Sequence, residues 1–280
     1  VVRKSSPNEK VALVSGGGSG HEPTHAGYVG TGMLDGAIAG DVFTSPTPDA
    51  VFEAVKAVDG GKGVLLVIKN YTGDVMNFEM AEEMAEAEGI EVDHVVVNDD
   101  VAVEDSLYTT GRRGVAGTIF VHKIAGAMAE AGGELAEVKE VAEKVIANVR
   151  TKGMALYPCR VPSADESTFT LDEDEIELGI GIHGEPGTER TETMKADEVV
   201  DELLGSVIED IPYEEGDEVA LMVNGMGGTP LMELFVVNRR AHQILEEKGI
   251  KIHKTFVGEY MTSLEMAGVS VTLLKLDDEM

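Results

Sequence analysis

The feature of this sequence that most constrains its fold is the stretch from Val11 to Gly27, VALVSGGGSGHEPTHAG. Its first four residues are apolar and predict a short buried strand. Glycines then occupy positions 16, 17, 18 and 20, where the backbone is free to turn and to approach a bound group closely. Two histidines, a glutamate and a proline follow. A strand, a glycine loop and ionisable side chains, in that order, are typical of a site at the strand ends of an open α/β sheet.

Strand and helix patterns alternate along the remaining chain. In the first half they predict strands at 63–68 and 91–97 and helices at 47–58, 74–88, 116–131 and 134–150. In the second half they predict strands at 176–182, 219–223, 251–257 and 269–276 and helices at 195–204 and 230–248. The composition changes within 151–170, where the periodicity is weak. We therefore predict two α/β domains, 1–153 and 154–280, each with a mostly parallel or mixed sheet flanked by helices.

The charge balance is extreme, with 52 Asp and Glu residues against 22 Lys and Arg residues and a formal net charge of −30. This charge disfavours nucleic acids and anionic membranes as partners. The acidic residues are spread along the chain, which is compatible with an ordinary well-solvated surface. We favour a halophilic protein, because the ions of a salt-rich cytoplasm would screen such self-repulsion.

Cysteine usage and hydropathy indicate the compartment. Cys159 is the single cysteine, so a disulfide framework is excluded and a reducing compartment is expected. No apolar run is long enough to span a bilayer, and no signal peptide is recognisable. We therefore expect a cytoplasmic protein without a membrane partner.

The segment HEPTH, from His21 to His25, matches the HExxH pattern of zinc hydrolases. That chemistry requires both histidines on one face of a helix. Pro23 between them disfavours a helix that already includes His21. A zinc hydrolase remains an alternative, and the other interpretation of His25 is a partly buried residue bonded to the loop backbone.

Lys69 and Asp74 follow the predicted strand 63–68 in the segment KNYTGD. Asp74 also begins a predicted helix, so an N-cap role is the alternative for it, and Lys69 could be a solvated charge. If this strand and the first strand are neighbours, His21 and Asp74 share one crevice. A histidine and an aspartate there would suit the removal of a proton from a hydroxyl group.

His183 follows the predicted strand 176–182 and precedes a Gly-Glu-Pro-Gly turn. One interpretation is a hydrogen-bonded turn residue. The other is a nucleophile, because a neutral imidazole, populated near neutral pH, can attack a carbonyl group.

Four segments occur in a characteristic order: GGGSGHEP, KNYTGD followed by VMNF, GIHGEPG, and VNGMGGTPLMEL. Together they resemble the dihydroxyacetone-binding (K) subunits of dihydroxyacetone kinases, over essentially the whole chain. The resemblance implies two α/β domains, a homodimer, and dihydroxyacetone held covalently as a hemiaminal on His183. It also implies that His21 and Asp74 act as acid–base and positioning groups. The implied substrate-binding residues are Gly18, Ser19, Gly20, His21, Lys69, Asp74 and His183.

The chain lacks a Walker loop, a kinase signature and an evident cluster of metal-binding carboxylates. We therefore expect no metal or cofactor in this chain. The resemblance implies that a separate nucleotide-binding (L) subunit carries ADP or ATP and Mg²⁺, with phosphate supplied through a phosphoenolpyruvate-dependent relay or by ATP. The alternative function is a non-catalytic paralogue that senses dihydroxyacetone and docks to a regulator.

Overall fold

The computed structural model describes residues 1–4, 9–104, 109–162, 167 and 169–280. Contacts between Cα atoms divide the chain into two units. The first unit comprises residues 1–98, 106–114 and 118–147, and the second comprises 99–105, 115–117 and 148–280. The boundary predicted after residue 153 falls inside a strand, Val149–Tyr157, that pairs within the sheet of the second unit. Part of the transitional stretch 151–170 lies outside the described residues.

The first unit contains a four-stranded parallel sheet in the order β2-β1-β3-β4. Its strands are β1 (Ala12–Ser19), β2 (Gly36–Val42), β3 (Val64–Lys69) and β4 (Val92–Val97). Its helices are α1 (Pro48–Val58), α2 (Thr72–Ala87), α3 (Thr118–Glu130) and α4 (Leu135–Asn148). Every residue of β3 is buried, as its uninterrupted apolar run predicts. Val14, Leu66 and Ile68 on one face of the sheet belong to one apolar cluster with Val55 of α1 and Phe78 of α2.

The glycine run is part of β1 and not a loop, which corrects the expectation from the sequence. Gly16, Gly17 and Gly18 pair with residues 38–40 of β2, a strand that the sequence pattern did not predict. A Cβ atom on Gly18 would lie 2.5 Å from the backbone nitrogen of Thr44. The glycines therefore allow neighbouring backbone to pack against β1, and the turn itself comes at Gly20, where φ is +105°.

The second unit contains a six-stranded mixed sheet in the order β7-β6-β5-β10-β8-β9. Its strands are β5 (Val149–Tyr157), β6 (Glu175–Leu178), β7 (Glu189–Glu192), β8 (Glu218–Gly225), β9 (Lys251–Glu259) and β10 (Ala267–Leu276). Only β8 and β9 are parallel neighbours among these strands. Helices α5 (Ala196–Asp210) and α6 (Leu231–Glu247) share one apolar cluster with the sheet. The two units confirm the predicted α/β class.

The strand predicted at 176–182 ends early, at Leu178. Gly179 takes a φ of +73°, which turns the chain out of the sheet. Ile180 and Ile182 are nevertheless buried, so the apolar alternation indicated burial correctly but overestimated the length of the strand. None of the helices in the described part of the chain combines the length and the apolar character that crossing a membrane requires.

Candidate functional site

The carboxyl ends of β1 and β3 form the topological switch point of the first sheet. From β1 the chain continues to β2 on one side, and from β3 it continues to β4 on the other. Ligands of open α/β sheets bind in the crevice where two such connections diverge. The pairing of β1 with β3, from Ala12 opposite Val64 to Ser15 opposite Val67, confirms the condition for a shared crevice.

Lys69 and Asp74 form a buried ion pair at this edge of the sheet. Nζ of Lys69 donates to Oδ2 of Asp74 at 3.1 Å, and the residues are 0% and 3% exposed. Asp74 lies in the first turn of α2, whose N-cap is Tyr71, so an N-cap role for Asp74 is wrong. A buried ion pair contributes little stability, because desolvation offsets its attraction. Its position at a switch point therefore favours a chemical role.

Gly17 makes room for this ion pair. A Cβ atom at Gly17 would lie 2.5 Å from Nζ of Lys69 and 3.6 Å from Oδ2 of Asp74. Any larger side chain would therefore displace the ammonium group. The family resemblance did not include Gly17 among the site residues. Its place in the glycine run was the sequence signal that could have identified it as a position of close approach.

His21 lies in the turn that follows β1 and is 1% exposed. Its ring stacks on Phe43, with the ring centroids 5.1 Å apart and the planes 18° from parallel. Phe43 directly follows β2 and has a φ of +55°. The residues after two neighbouring parallel strands thus hold the imidazole at the carboxyl edge of the sheet.

His25 lies in the same turn, is buried, and bonds to side chains from two other elements. Its Nδ1 is 3.2 Å from Oγ of Ser15 on β1 and 3.0 Å from Nε2 of His122 on α3. Burial, with a further contribution from the charge of Lys69, lowers the pKa of His122 to about 3 and that of His25 well below its usual value. His25 is thus more deeply buried than expected, and its side-chain partners are not the loop backbone.

The structure lacks the geometry that a zinc hydrolase of the HExxH type requires. Residues 21–25 form bends and turns, and the first helical segment after them is a short 3₁₀ turn, Ala26–Tyr28. The two histidines therefore do not share a helical face. Elsewhere in the described chain, the single trio with the spacing of metal ligands is Glu82, Asp93 and His94, and there Lys139 donates to Asp93 at 2.6 Å.

His183 belongs to the second unit, whereas the other predicted site residues belong to the first. Its backbone N–H donates to Oε2 of Glu185 at 2.9 Å, and its Nδ1 is 3.2 Å from Oε1 of the same carboxylate. An ionised carboxylate only accepts hydrogen bonds, so Nδ1 carries the ring proton when the imidazole is neutral. The lone pair then lies on Nε2, the nitrogen that a nucleophilic attack would use. The His183 side chain is 18% exposed and that of Glu185 is 5% exposed.

Neither the sequence motifs nor the family resemblance assigned a role to Glu185. The available signal was an acidic residue two positions after a candidate nucleophile, within a tight turn. That signal is weak by itself, because only the conformation of Gly184, with a φ of +72°, folds the carboxylate back onto the ring.

The motif VNGMGGTP is explained by packing. Asn224 accepts hydrogen bonds from the backbone of Tyr260 and Met261 and donates to the carbonyl of Met261 and to Oγ of Ser270. All four hydrogen-bonding positions of this amide are thereby used. The motif joins the end of β8 to the connection between β9 and β10.

Comparison with known proteins places the chain in one family. The Dak1 domain profile matches residues 1–280. The chain is 58% identical over 279 residues to the dihydroxyacetone-binding subunit DhaK of a PTS-dependent dihydroxyacetone kinase from Listeria innocua, covering 100% of this chain and 85% of that protein.

Two solved structures share the fold. The dihydroxyacetone kinase of C. freundii superposes with a TM-score of 0.92 at 39% identity, covering 99% of this chain and 50% of that chain. A dihydroxyacetone kinase operon co-activator, DhaQ, also gives a TM-score of 0.92 at 39% identity, covering 97% of this chain and 84% of that chain. The chain belongs to the Dak1 domain family.

Proposed function

We propose that this protein is the substrate-binding subunit of a dihydroxyacetone kinase. It holds dihydroxyacetone while a separate L subunit, which carries ADP or ATP and Mg²⁺, delivers the phosphoryl group. The observation that carries the proposal is the buried Lys69–Asp74 pair at the switch point, in a chain 58% identical to a dihydroxyacetone-binding kinase subunit. The donor is phosphoenolpyruvate, acting through a phosphotransferase relay, and the PTS dependence in the relative's name supports this choice.

His183 captures the substrate as a hemiaminal. Its Nε2 attacks the carbonyl carbon, a C–N bond forms, and the carbonyl oxygen becomes a hydroxyl group. One proton moves, in net terms, from Nδ1 to that oxygen, so the ring is neutral before and after the step. The hydrogen-bonding position of Glu185 supports this role, because its carboxylate would stabilise the cationic ring that develops during the attack.

Asp74 and His21 prepare the hydroxyl group that receives phosphate. Asp74 accepts the hydroxyl proton as a general base, and Lys69 holds the carboxylate in place. His21 acts as the second acid–base and positioning group, and the backbone of residues 18–20 binds the substrate hydroxyls. The partner's Mg²⁺ would neutralise charge on the transferred phosphoryl group.

Covalent capture also explains selection against glycerol. Glycerol lacks a carbonyl group and cannot form the adduct, although its hydroxyls could satisfy the same hydrogen bonds. Selection by reactivity avoids relying on hydrogen bonds alone to separate two close analogues.

The test combines two variants with two measurements. In wild-type protein soaked with dihydroxyacetone labelled at the carbonyl carbon, ¹³C NMR should show that carbon as tetrahedral and protein-bound. His183→Ala should abolish this signal. Asp74→Asn should keep it and lower phosphate transfer by about 10²–10⁴-fold. Asp49→Asn is the matched control, since Asp49 occupies the first turn of α1 and is exposed. Normal adduct formation in His183→Ala would refute the assignment of His183 as the nucleophile.

The second candidate function is a non-catalytic dihydroxyacetone sensor. It is favoured by the co-activator, which matches this chain as closely as the C. freundii kinase does, with a TM-score of 0.92 for each. Purified protein mixed with an L subunit and a phosphate donor separates the two functions. A kinase subunit would form dihydroxyacetone phosphate, whereas a sensor would form the adduct alone.

We also propose that two copies associate through the exposed apolar side chains at the start of α6. Leu231, Met232 and Phe235 are 54%, 73% and 53% exposed, and Tyr157 at the end of β5 is 57% exposed. In a chain of net charge −30, an apolar surface is where two copies can meet without opposing like charges. Phe235→Glu should yield a monomer in light scattering, and an unchanged dimer would exclude this surface.

The distributed acidic charge supports a salt-rich cytoplasm as the working environment of this protein.

A further inference from the structure

We infer that His25 and His122 form a hydrogen-bonded pair with fixed tautomers that positions the turn carrying His21 for phosphoryl transfer. His25 is accordingly a positioning residue of the site. The inference rests on the proposed function, and it adds two histidines to which neither the family resemblance nor the comparisons assign a role.

The pair lies inside the first unit, away from solvent. His25 is 5% exposed and His122 is 0% exposed. Nδ1 of His25 is 3.0 Å from Nε2 of His122 and 3.2 Å from Oγ of Ser15. The hydroxyl of Ser15 in turn lies 2.6 Å from the carbonyl oxygen of Val67. Four elements therefore meet in one chain of hydrogen bonds: α3, the turn after β1, β1 itself and β3.

The direction of every hydrogen bond in this chain follows from its last member. The carbonyl oxygen of Val67 can only accept, so the single hydroxyl proton of Ser15 is donated to it. Oγ of Ser15 is then an acceptor toward His25, whose Nδ1 must carry a proton. The same N–H group faces Nε2 of His122, which must therefore be an acceptor. Both rings consequently carry their proton on Nδ1 and none on Nε2, and the Nδ1–H of His122 then has no hydrogen-bond partner among the described residues.

The surroundings keep both rings neutral. A proton on Nε2 of His122 would face the Nδ1–H of His25 across 3.0 Å. Burial is the main cause that opposes protonation of both rings. The charge of buried Lys69 adds to it for both, and His21 adds to it for His25. The ring of Tyr28, which also faces His122, lies 6.4 Å away. Both rings are therefore neutral near neutral pH, where these donor and acceptor assignments apply.

This chain of bonds links the two halves of the proposed first-unit site. Val67 lies two residues before Lys69 on β3. On the other side, Thr24 N–H donates to the carbonyl of His21 at 3.0 Å, so His25 and His21 belong to one tight turn. The pair thus sets the position of the His21 turn relative to the strand that carries Lys69.

Substitutions that keep or remove one nitrogen test the inference. The amide of Asn can occupy the position of Nδ1 in a histidine, and the amide of Gln can occupy that of Nε2. His25→Asn keeps the donor toward Ser15 and His122, whereas His25→Gln lacks it. For His122 the order reverses, because His122→Gln keeps an acceptor at the Nε2 position and His122→Asn lacks it.

We expect His25→Gln and His122→Asn to lower kcat for phosphate transfer by about tenfold, which corresponds to one misplaced catalytic hydrogen bond. KM for dihydroxyacetone and adduct formation on His183 should stay at wild-type values. His25→Asn and His122→Gln should restore kcat to within about threefold. His253→Gln, at an exposed histidine of β9, is the control.

A purely structural pair would behave differently. All four variants would lose thermal stability, and the folded fraction of each would turn over at the wild-type rate. That result would overturn the inference. If wild type itself transfers no phosphate, the proposed function fails. If wild type is active and His25→Gln equals it, only the positioning role fails.

A measurement on wild-type protein tests the inference even if the variants do not fold. In ¹⁵N NMR of histidine-labelled wild type at pH 7, both His25 and His122 should show a protonated Nδ1 and a bare Nε2. A proton on Nε2 of either ring would contradict the directions derived above and overturn the inference.

Discussion

At the scale of single residues, the chemistry of this protein depends on which nitrogen of each histidine holds a proton. Glu185 determines this for His183 through a carboxylate that meets both the backbone N–H and Nδ1. Ser15 determines it for His25, because the Ser15 hydroxyl donates its own proton to the carbonyl oxygen of Val67 and can only accept from the ring. In both cases the partner is a polar side chain that forms one hydrogen bond to the ring and another to the backbone. A neutral histidine becomes a defined donor and acceptor only in such surroundings.

Replacing Glu185 should slow adduct formation without preventing folding. In Glu185→Gln the neutral amide no longer stabilises the cationic ring that forms during attack on the carbonyl, so we expect a decrease of about 10–100-fold in the rate. Each protein is mixed with dihydroxyacetone labelled at the carbonyl carbon, and ¹³C NMR spectra recorded over time measure the rate of adduct formation. Glu189→Gln, an exposed acid on β7, is the control. Equal rates in both variants would show that Glu185 plays no part.

The buried histidines should make the fold sensitive to acid. Their pKa values are lowered in the folded state, to about 3 for His122. The unfolded chain therefore binds more protons, and stability falls as the pH drops below the unfolded value of about 6.5. Each ring contributes about 1.4 kcal/mol per pH unit over that range.

Urea unfolding at pH 7, 6 and 5 measures this slope. Carboxylates also titrate toward the acid end, so the informative quantity is the difference between wild type and His122→Gln, which lacks one titrating ring. We expect a shallower slope in the variant. Identical slopes would mean that His122 has the same pKa in the folded protein as in the unfolded chain.

At the scale of elements, β1 combines two roles that usually exclude each other. It is the central partner of β2 and β3, yet its glycines also leave room for Lys69 and for the backbone of residues 43 and 44. Glycine weakens a strand through its conformational entropy, so the three glycines within β1 indicate a requirement for close approach. Because the glycines of β1 have no side chains, the ion pair and the neighbouring backbone can pack against the strand.

Gly17→Ala tests that role. Its Cβ would meet Nζ of Lys69 at 2.5 Å, which would displace the ammonium from Asp74. We expect phosphate transfer to fall at least about tenfold while the sheet is retained, since the clash is with the end of a flexible side chain. Circular dichroism and turnover with the L subunit separate these effects.

The matched control for this variant is Gly205→Ala in α5, where an added Cβ meets no atom within 4 Å. This change should leave turnover intact and raise stability by about 0.5–1 kcal/mol, because alanine is the better helix former. If Gly17→Ala proved as active as Gly205→Ala, the spatial role of Gly17 would be refuted.

At the scale of the whole molecule, the net charge of −30 is the dominant property. Repulsion among exposed acids opposes the compact state, and salt screens it, since the Debye length falls from about 10 Å at 0.1 M to about 3 Å at 1 M. The free energy of unfolding should therefore rise as KCl increases from about 0.1 M to about 1 M. Urea titrations at each concentration measure it, and a flat or falling trend would argue against adaptation to salt.

The class of the fold followed from periodicity, and its details did not. The apolar run of β3 and the Thr-Pro start of α1 are local signals, and both elements form within about one residue of their predicted bounds. The strand β2 carries few large apolar residues, and β5 lies where a helix was expected to end. Strands of this kind are stabilised by their neighbours in the sheet, which a local pattern does not contain.

Sequence alone determined the family resemblance, the α/β class and the residue types of the site, because motif order and apolar period are properties of the chain itself. Tertiary packing determined that the glycines form a strand, that Gly17 faces an ion pair, and that Glu185 and Ser15 set the protons of two histidines. These contacts depend on the φ angle of single residues and on which strands become neighbours. They result from packing, because a small shift of the backbone or a different turn conformation changes which atoms are in contact.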